Sequence, residues 1–268
     1  ESRYVDATVG DFQIQYGRGI PLSVRRIDQI GIDATIKGGR VDVDFGKKVP
    51  IDLSGFAGYA NSQNSDFATR ALVEDPGYPA ECDVPDEPAI GNRFWTICSD
   101  LLAGGRADVR LPGKVDLGMH YVHVDFGQQI ADGVNESIHL AGGDIGRKRI
   151  GKVWDIFAGG TALVRVRDAP ELDVPTIEGV DYTGYSTFLG NSFVIKTTTI
   201  VVEAKANQDY LVAVQPTFLQ YSEAPTLERE DQQVPGNFSS MGGRVRVDHT
   251  IPDLGLTLYV NGMSYSYA

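Results

Sequence analysis

GGRVRVDHTIPDLGLTLYVNGMSYSY, residues 242–267, reads as two strands and the turn that joins them. In GGRVRVDH, Val245 and Val247 point one way while Arg244, Arg246 and Asp248 point the other. In DLGLTLYVNGMSYSY, Leu254, Leu256, Leu258 and Val260 share one face, opposed by Thr257, Tyr259 and Asn261. Successive side chains leave a strand on opposite sides, so this period of two specifies a sheet whose two faces differ in chemistry.

The same pattern spreads outward through the chain. RADVRLP sets Ala107, Val109 and Leu111 against Arg106, Asp108 and Arg110, and TALVRVR sets Ala162, Val164 and Val166 against Arg165 and Arg167. IDLSGFAGYA and VDLGMHYV alternate too, and FVIKTTTIVVEAK is β-branched throughout. In GIDATIKGGRVDVDF the apolar parity changes from Ile32, Ala34 and Ile36 to Val41, Val43 and Phe45. A bulge at Gly38-Gly39 is expected to restore a common face. The count comes to roughly 10–12 strands. GKKVP, LPGK and IPDLG are short enough for tight hairpins, whereas long connections are expected at about 61–101, 126–137 and 220–238. Nothing divides the chain, so residues 1–268 are taken as one β domain.

Composition narrows the function classes. The 268 residues carry a net charge of -12, with no basic stripe for a phosphate backbone, so a nucleic-acid partner is not expected. No apolar run reaches the ~18 residues of a spanning helix, but a spanning strand needs only about 10 alternating residues. The sequence begins at Glu1, as a processed export product would. Cys82 and Cys98 lie in the segment ECDVPDEPAIGNRFWTIC. They are read as a loop-closing disulfide in an oxidising compartment, with two unpaired thiols as the alternative.

Alternation alone fits a soluble sandwich as well as a membrane barrel, because each has one apolar and one polar face. The apolar faces here hold Val, Leu, Ile and Ala, with Tyr16, Tyr59, Tyr121, Tyr210, Tyr265 and Tyr267 near strand ends, as interfacial girdles would. The polar faces hold Arg40, Asp42, Asp44, Arg106, Asp108, Arg110, Arg165, Arg167, Arg244, Arg246 and Asp248. Arginine in place of lysine favours a crowded, multiply hydrogen-bonded setting, so these eleven are the candidates for lining a lumen.

Gly10, Asp11, Phe12, Tyr16, Gly17, Arg18, Gly19, Leu22, Ser23, Arg25, Gly31, Ile32, Asp33, Gly38 and Gly39 form a recurrent opening. Over residues 9–41 it resembles a group of uncharacterised, porin-like bacterial outer-membrane β-barrel proteins. The resemblance implies an antiparallel transmembrane barrel, or a piece of a larger one, since members of the group are longer. It implies an outer-membrane location, with membrane lipid and the barrel-assembly machinery as partners, but no activity. Gly262, Tyr265 and Tyr267 are similar to the signal that this machinery reads on a last strand, although the chain ends on Ala268.

Motifs for chemistry are sparse. YGRG at 16–19 lacks the Lys-Ser/Thr of a phosphate loop and is read as a tight turn. His120 and His123, three apart on a strand, should face opposite ways and share no metal. Asp83, Asp86 and Glu87 lack the spacing of a calcium loop. His139 with Asp144 and His249 with Asp248 are the only candidates for a rim hydrolase. The leading expectation is a non-enzymatic barrel, without cofactor, serving as a channel, a porin-like scaffold or a binding surface for small solutes or a protein. The alternatives are a soluble exported β-sandwich or β-solenoid that binds glycan or protein through loop residues such as Phe94 and Trp95, and a barrel hydrolase.

Overall fold

The computed structural model describes residues 4–24, 26–27, 32–33, 35–46, 48–61, 100–126, 135–168, 179–210 and 239–267. Eleven long strands form one sheet in chain order, and each pairs antiparallel with its neighbours. They are β1 (Tyr4–Phe12), β6 (Thr35–Phe45), β7 (Ile51–Asn61), β8 (Leu101–Leu111), β9 (Val115–Asp125), β10 (Asn135–Ile150), β11 (Trp154–Asp168), β12 (Gly179–Ile195), β13 (Thr198–Gln208), β14 (Ser240–Ile251) and β15 (Leu256–Tyr267). Between β1 and β6 lie two short ladders, β2 (Ile14–Tyr16) with β3 (Leu22–Val24), and β4 (Arg26–Ile27) with β5 (Ile32–Asp33).

Connections sort by length onto opposite rims. Residues 46–50, 112–114, 151–153, 196–197 and 252–255 make the short turns. The longer connections, 13–34, 62–100, 126–134, 169–178 and 209–239, all join the other strand ends. Tight turns require backbone that few residues adopt cheaply. Glycine serves at Gly46, Gly113 and Gly255, but Lys114, Arg149, Lys152 and Lys196 also hold positive φ, at about 1 kcal/mol each relative to an ordinary conformation.

The two faces separate cleanly. Ile36, Phe56, Leu102, Val122, Leu140 and Leu163 are buried on the face covered by the segment Phe12–Val24, which we call the inner face. On the other face, apolar side chains stand uncovered: Val9 is 91% exposed, Val260 73% and Met119 67%. Leu53, Leu189, Val245 and Leu258 join them. An uncovered apolar face of this extent marks an interaction surface, and it is the kind that a sheet facing lipid presents. The outer face also holds aromatics near both ends. Tyr59, Tyr121 and Tyr185 lie toward the long connections, and Trp154, stacked on Phe193 at 5.6 Å, lies beside the short turns. Tyr185 and Phe193 on β12 are about 26 Å apart along the strand, close to the ~25 Å height of an outer-membrane apolar band.

Three expectations need correction. The ladders through Gly38-Gly39 run without a register shift, so there is no bulge there. Instead the inner face of β6 changes chemistry along its length, from Ile36 to Arg40 and Asp42. FVIKTTTIVV is a hairpin and not one strand, because the chain turns at Lys196-Thr197. Tyr16 is buried in the inner core with Tyr210 packed against it, and Tyr265 sits on the inner parity beside Lys205, so these three do not belong to a girdle.

Candidate functional site

The inner face has two zones. Toward the long connections it is mainly apolar, apart from the buried Arg165–Glu136 pair, and β2 and β3 lie on it. The Phe56 ring meets Phe12 edge-on at 6.4 Å and Tyr16 at 5.7 Å, while Leu22 and Val24 are buried in the same cluster. Arg40 donates to the Gln13 carbonyl at 3.4 Å, and the Tyr16 hydroxyl lies 3.3 Å from Ser54 Oγ, fixing this segment to β6 and β7. Its turn, Gly17–Gly19, closes through Gly19 N–H donating to Tyr16 O at 2.9 Å. The tip then reaches the far wall. Arg18 stacks over Phe157 at 4.3 Å and Phe188 at 5.5 Å, and the Tyr210 hydroxyl donates to Ile20 O at 2.8 Å. Burial pushes the Tyr210 phenol above its ordinary range, so it remains a donor. Residues 12–24 therefore form a strap across the inner face.

Toward the short turns the inner face is charged. A cavity of about 480 Å³ opens beside Arg18 and is lined by Arg106, Asp108, Asp144, Phe157 and Glu203, among others. The central ion cluster is built by register. Arg106 on β8 donates Nε to Asp108 at 2.7 Å and Nη1 to Asp144 on β10 at 2.7 Å. Asp108, Gly118 and Asp144 occupy one row across three strands. The guanidinium sits against Gly118, where a Cβ would overlap it. The same device recurs higher up, with the Phe56 ring over Gly104 and the His120 ring over Gly142. His120 also meets Thr161 Oγ1 at 2.9 Å.

Arg40–Asp42 (2.7 Å) and Arg246–Asp248 (2.9 Å) are pairs two residues apart on one strand, the geometry that an Arg-x-Asp pattern imposes. Arg244 pairs with Glu203 at 2.6 Å, Arg165 with Glu136, and Arg110 with Asp116 at 3.3 Å. All eleven sequence candidates have the backbone parity of the inner face, and nine of them have an ion-pair partner on it. Arg167 has the same backbone parity and stands opposite Glu136 in register, and Asp44 lies opposite Tyr4 near the short-turn end. Sequence reasoning missed the partners Glu136, Asp144 and Glu203. It also missed the signal that locates them, a Gly-Gly pair repeated at Gly38-Gly39, Gly104-Gly105, Gly142-Gly143, Gly159-Gly160 and Gly242-Gly243.

The rim-hydrolase pairs do not assemble. His139 faces outward, donating to or accepting from the Tyr121 hydroxyl at 2.7 Å and stacking on His123, while Asp144 faces inward. His249 meets Thr198 at 2.8 Å on the outer parity, and Asp248 is held by Arg246. His120 and His123 lie on opposite faces, as their spacing requires. Cys82, Cys98, Asp83, Asp86, Glu87, Phe94 and Trp95 lie outside the described residues.

No family model matches the chain, and no curated protein sequence matches it. Among solved structures it is similar to the outer membrane protein OpdK from Pseudomonas aeruginosa, at 17% identity and a TM-score of 0.50. The likeness covers 97% of this chain and 60% of that one, so the chain spans less than two thirds of the neighbour's length. At this identity the match concerns the fold: an all-β, antiparallel sheet of eleven strands resembling an outer-membrane barrel.

Proposed function

We propose that the chain forms the wall of a porin-like outer-membrane barrel that passes small solutes through a charged, strap-narrowed interior and catalyses no reaction. The observation that carries this reading is the inversion of its faces. Apolar side chains stand uncovered outside between two sets of aromatics, while arginines and carboxylates pair inside. A β-sandwich would bury the apolar face and solvate the charged one, the reverse of what the burial pattern favours.

The ion network grades the interior. Pairs at Arg106, Arg165 and Arg244 neutralise most of the wall, leaving a surface of local dipoles rather than one sign of charge. Solutes with both polar and charged groups fit such a lining better than apolar ones. The strap covers the end of the inner face toward the long connections, so passage is restricted there. Outer-membrane lipid is the surrounding solvent on this reading, and the barrel-assembly machinery is the expected folding partner.

Two measurements test it. Folded protein should need detergent for solubility and run faster unboiled than boiled on a gel. In planar bilayers it should give discrete conductance steps of small amplitude. A monodisperse chain in detergent-free buffer would contradict the reading.

A further inference from the structure

The short-turn rim carries an excess of cations at positions where the backbone disfavours them. Lys114, Arg149, Lys152 and Lys196 all occupy positive φ, at turn positions where Gly or Asn sits without strain. They account for four of the five non-glycine residues with positive φ among the described residues, and Lys48 adds a fifth exposed cation on the same rim. Among the acids near these turns Asp253 is exposed in its turn and Asp44 at a strand end, so the five exposed cations outnumber them. Asp52, Asp116 and Asp155 line the inner cavity, and Asp116 is engaged by Arg110. Asp155 accepts the Arg149 backbone N–H at 2.5 Å, and Arg149 itself is exposed.

Apolar side chains stand exposed among these cations: Val153, Val194, Ile195 and Leu254. Immediately beyond them, toward the middle of the outer face, lies the Trp154–Phe193 stack, with Trp154 Nε1 donating to Asn191 Oδ1 at 3.3 Å. Cations at the tips with an amphipathic indole behind them follow the order from headgroup to interface, and the exposed aliphatic residues lie at that interfacial level. A soluble polyanion would meet the cations without needing the aliphatic residues or the indole.

We infer that the short-turn rim docks on the anionic phosphate headgroups of the leaflet it borders, through Lys114, Arg149, Lys152 and Lys196. This rests on the membrane reading above, and the experiment keeps the two apart. Full-length Trp95→Phe protein, whose one remaining indole is Trp154, is folded into vesicles that contain either brominated phosphatidylcholine or brominated phosphatidylglycerol. Quenching of Trp154 by brominated phosphatidylcholine reports contact with lipid irrespective of headgroup charge.

The expected result is about fivefold preferential association of brominated phosphatidylglycerol. It should fall toward unity in about 0.5 M salt but persist in millimolar inorganic phosphate. The combined variant Lys114→Asn, Arg149→Asn, Lys152→Asn and Lys196→Asn, whose asparagines tolerate the same backbone, should keep its heat-modifiable mobility and lose the preference. Equal quenching by both lipids in the parent, or an unchanged preference in the variant, overturns the docking and leaves the barrel standing. Loss of the preference to inorganic phosphate also overturns it, in favour of a free-oxyanion site. Absence of quenching by either lipid overturns both readings.

Discussion

Replacing Arg106 by Met should destabilise the fold more than any single carboxylate change in the cavity. The Arg106 and Asp144 side chains are each 10% exposed and meet at 2.7 Å, whereas Asp108 is 41% exposed. Charge centres about 4 Å apart attract by about 4 kcal/mol at an effective permittivity near 20. Without the guanidinium, Asp108 and Asp144 face each other across Gly118, two strand spacings or roughly 9.6 Å apart. At that separation they repel by about 1.7 kcal/mol. That repulsion is present in the parent too; the variant loses the arginine's attraction to both carboxylates, offset in part by relief of its desolvation, for a net loss of about 3–5 kcal/mol, as for other broken buried pairs. Asp108→Asn, at an exposed acceptor, should cost under about 1 kcal/mol. The assay is the urea midpoint of the folded fraction, read from unboiled gel mobility after equilibration in vesicles. If Arg106→Met and Asp108→Asn shift the midpoint equally, the central cluster is not what holds the charged zone together.

Gly118→Val should mimic Arg106→Met, because its side chain needs the space of the guanidinium. A loss of about 1–3 kcal/mol is expected, and a midpoint matching the parent would show that the guanidinium has another seat. Arg18→Ala removes the cation–π contact at the strap tip, worth about 1–2 kcal/mol when desolvated, and should raise single-channel conductance without lowering the urea midpoint by more than that. Replacing residues 13–34 by a short Gly-Ser turn should raise conductance further; an unchanged step size would mean that the strap does not narrow the path. The Tyr210 phenol is pushed up by burial, so the folded state holds its proton more tightly than the unfolded chain. Its contribution is full below the unfolded phenol's value of about 10 and is lost as pH rises beyond it. Protection of the strap against protease should therefore decline above about pH 10, and Tyr210→Phe should abolish that pH dependence.

The sheet was readable because R-x-D and alternating Val/Leu segments leave little choice of face. Arg106, Asp108 and Arg110 could only lie together, as Arg244, Arg246 and Asp248 do. The parity argument failed on β6 because it assumes that one face keeps one chemistry. Here the strap supplies an apolar partner to one half of the inner face, so Ile36 and Arg40 share a side. The turn at Lys196-Thr197 escaped notice because a lysine occupies the left-handed position where glycine or asparagine is the usual sign. The strap's landing on Phe157, Phe188 and Tyr210 joins residues up to 190 apart in sequence, and no local pattern encodes such a meeting. The pairing of Asp144 and of Glu203 was invisible for a related reason: each meets an arginine that sits on another strand.

Strand direction sets a rule for the two edges of the sheet. In an unbroken antiparallel order the first and eleventh strands, β1 and β15, run the same way. They cannot zip to one another as antiparallel neighbours, and a second copy held at the same orientation in a bilayer would present β1 to β15 in the same parallel sense. A ring built wholly of antiparallel ladders therefore carries an odd number of further strands between these edges, so the topology discriminates among completing elements by counting before any side chain is consulted.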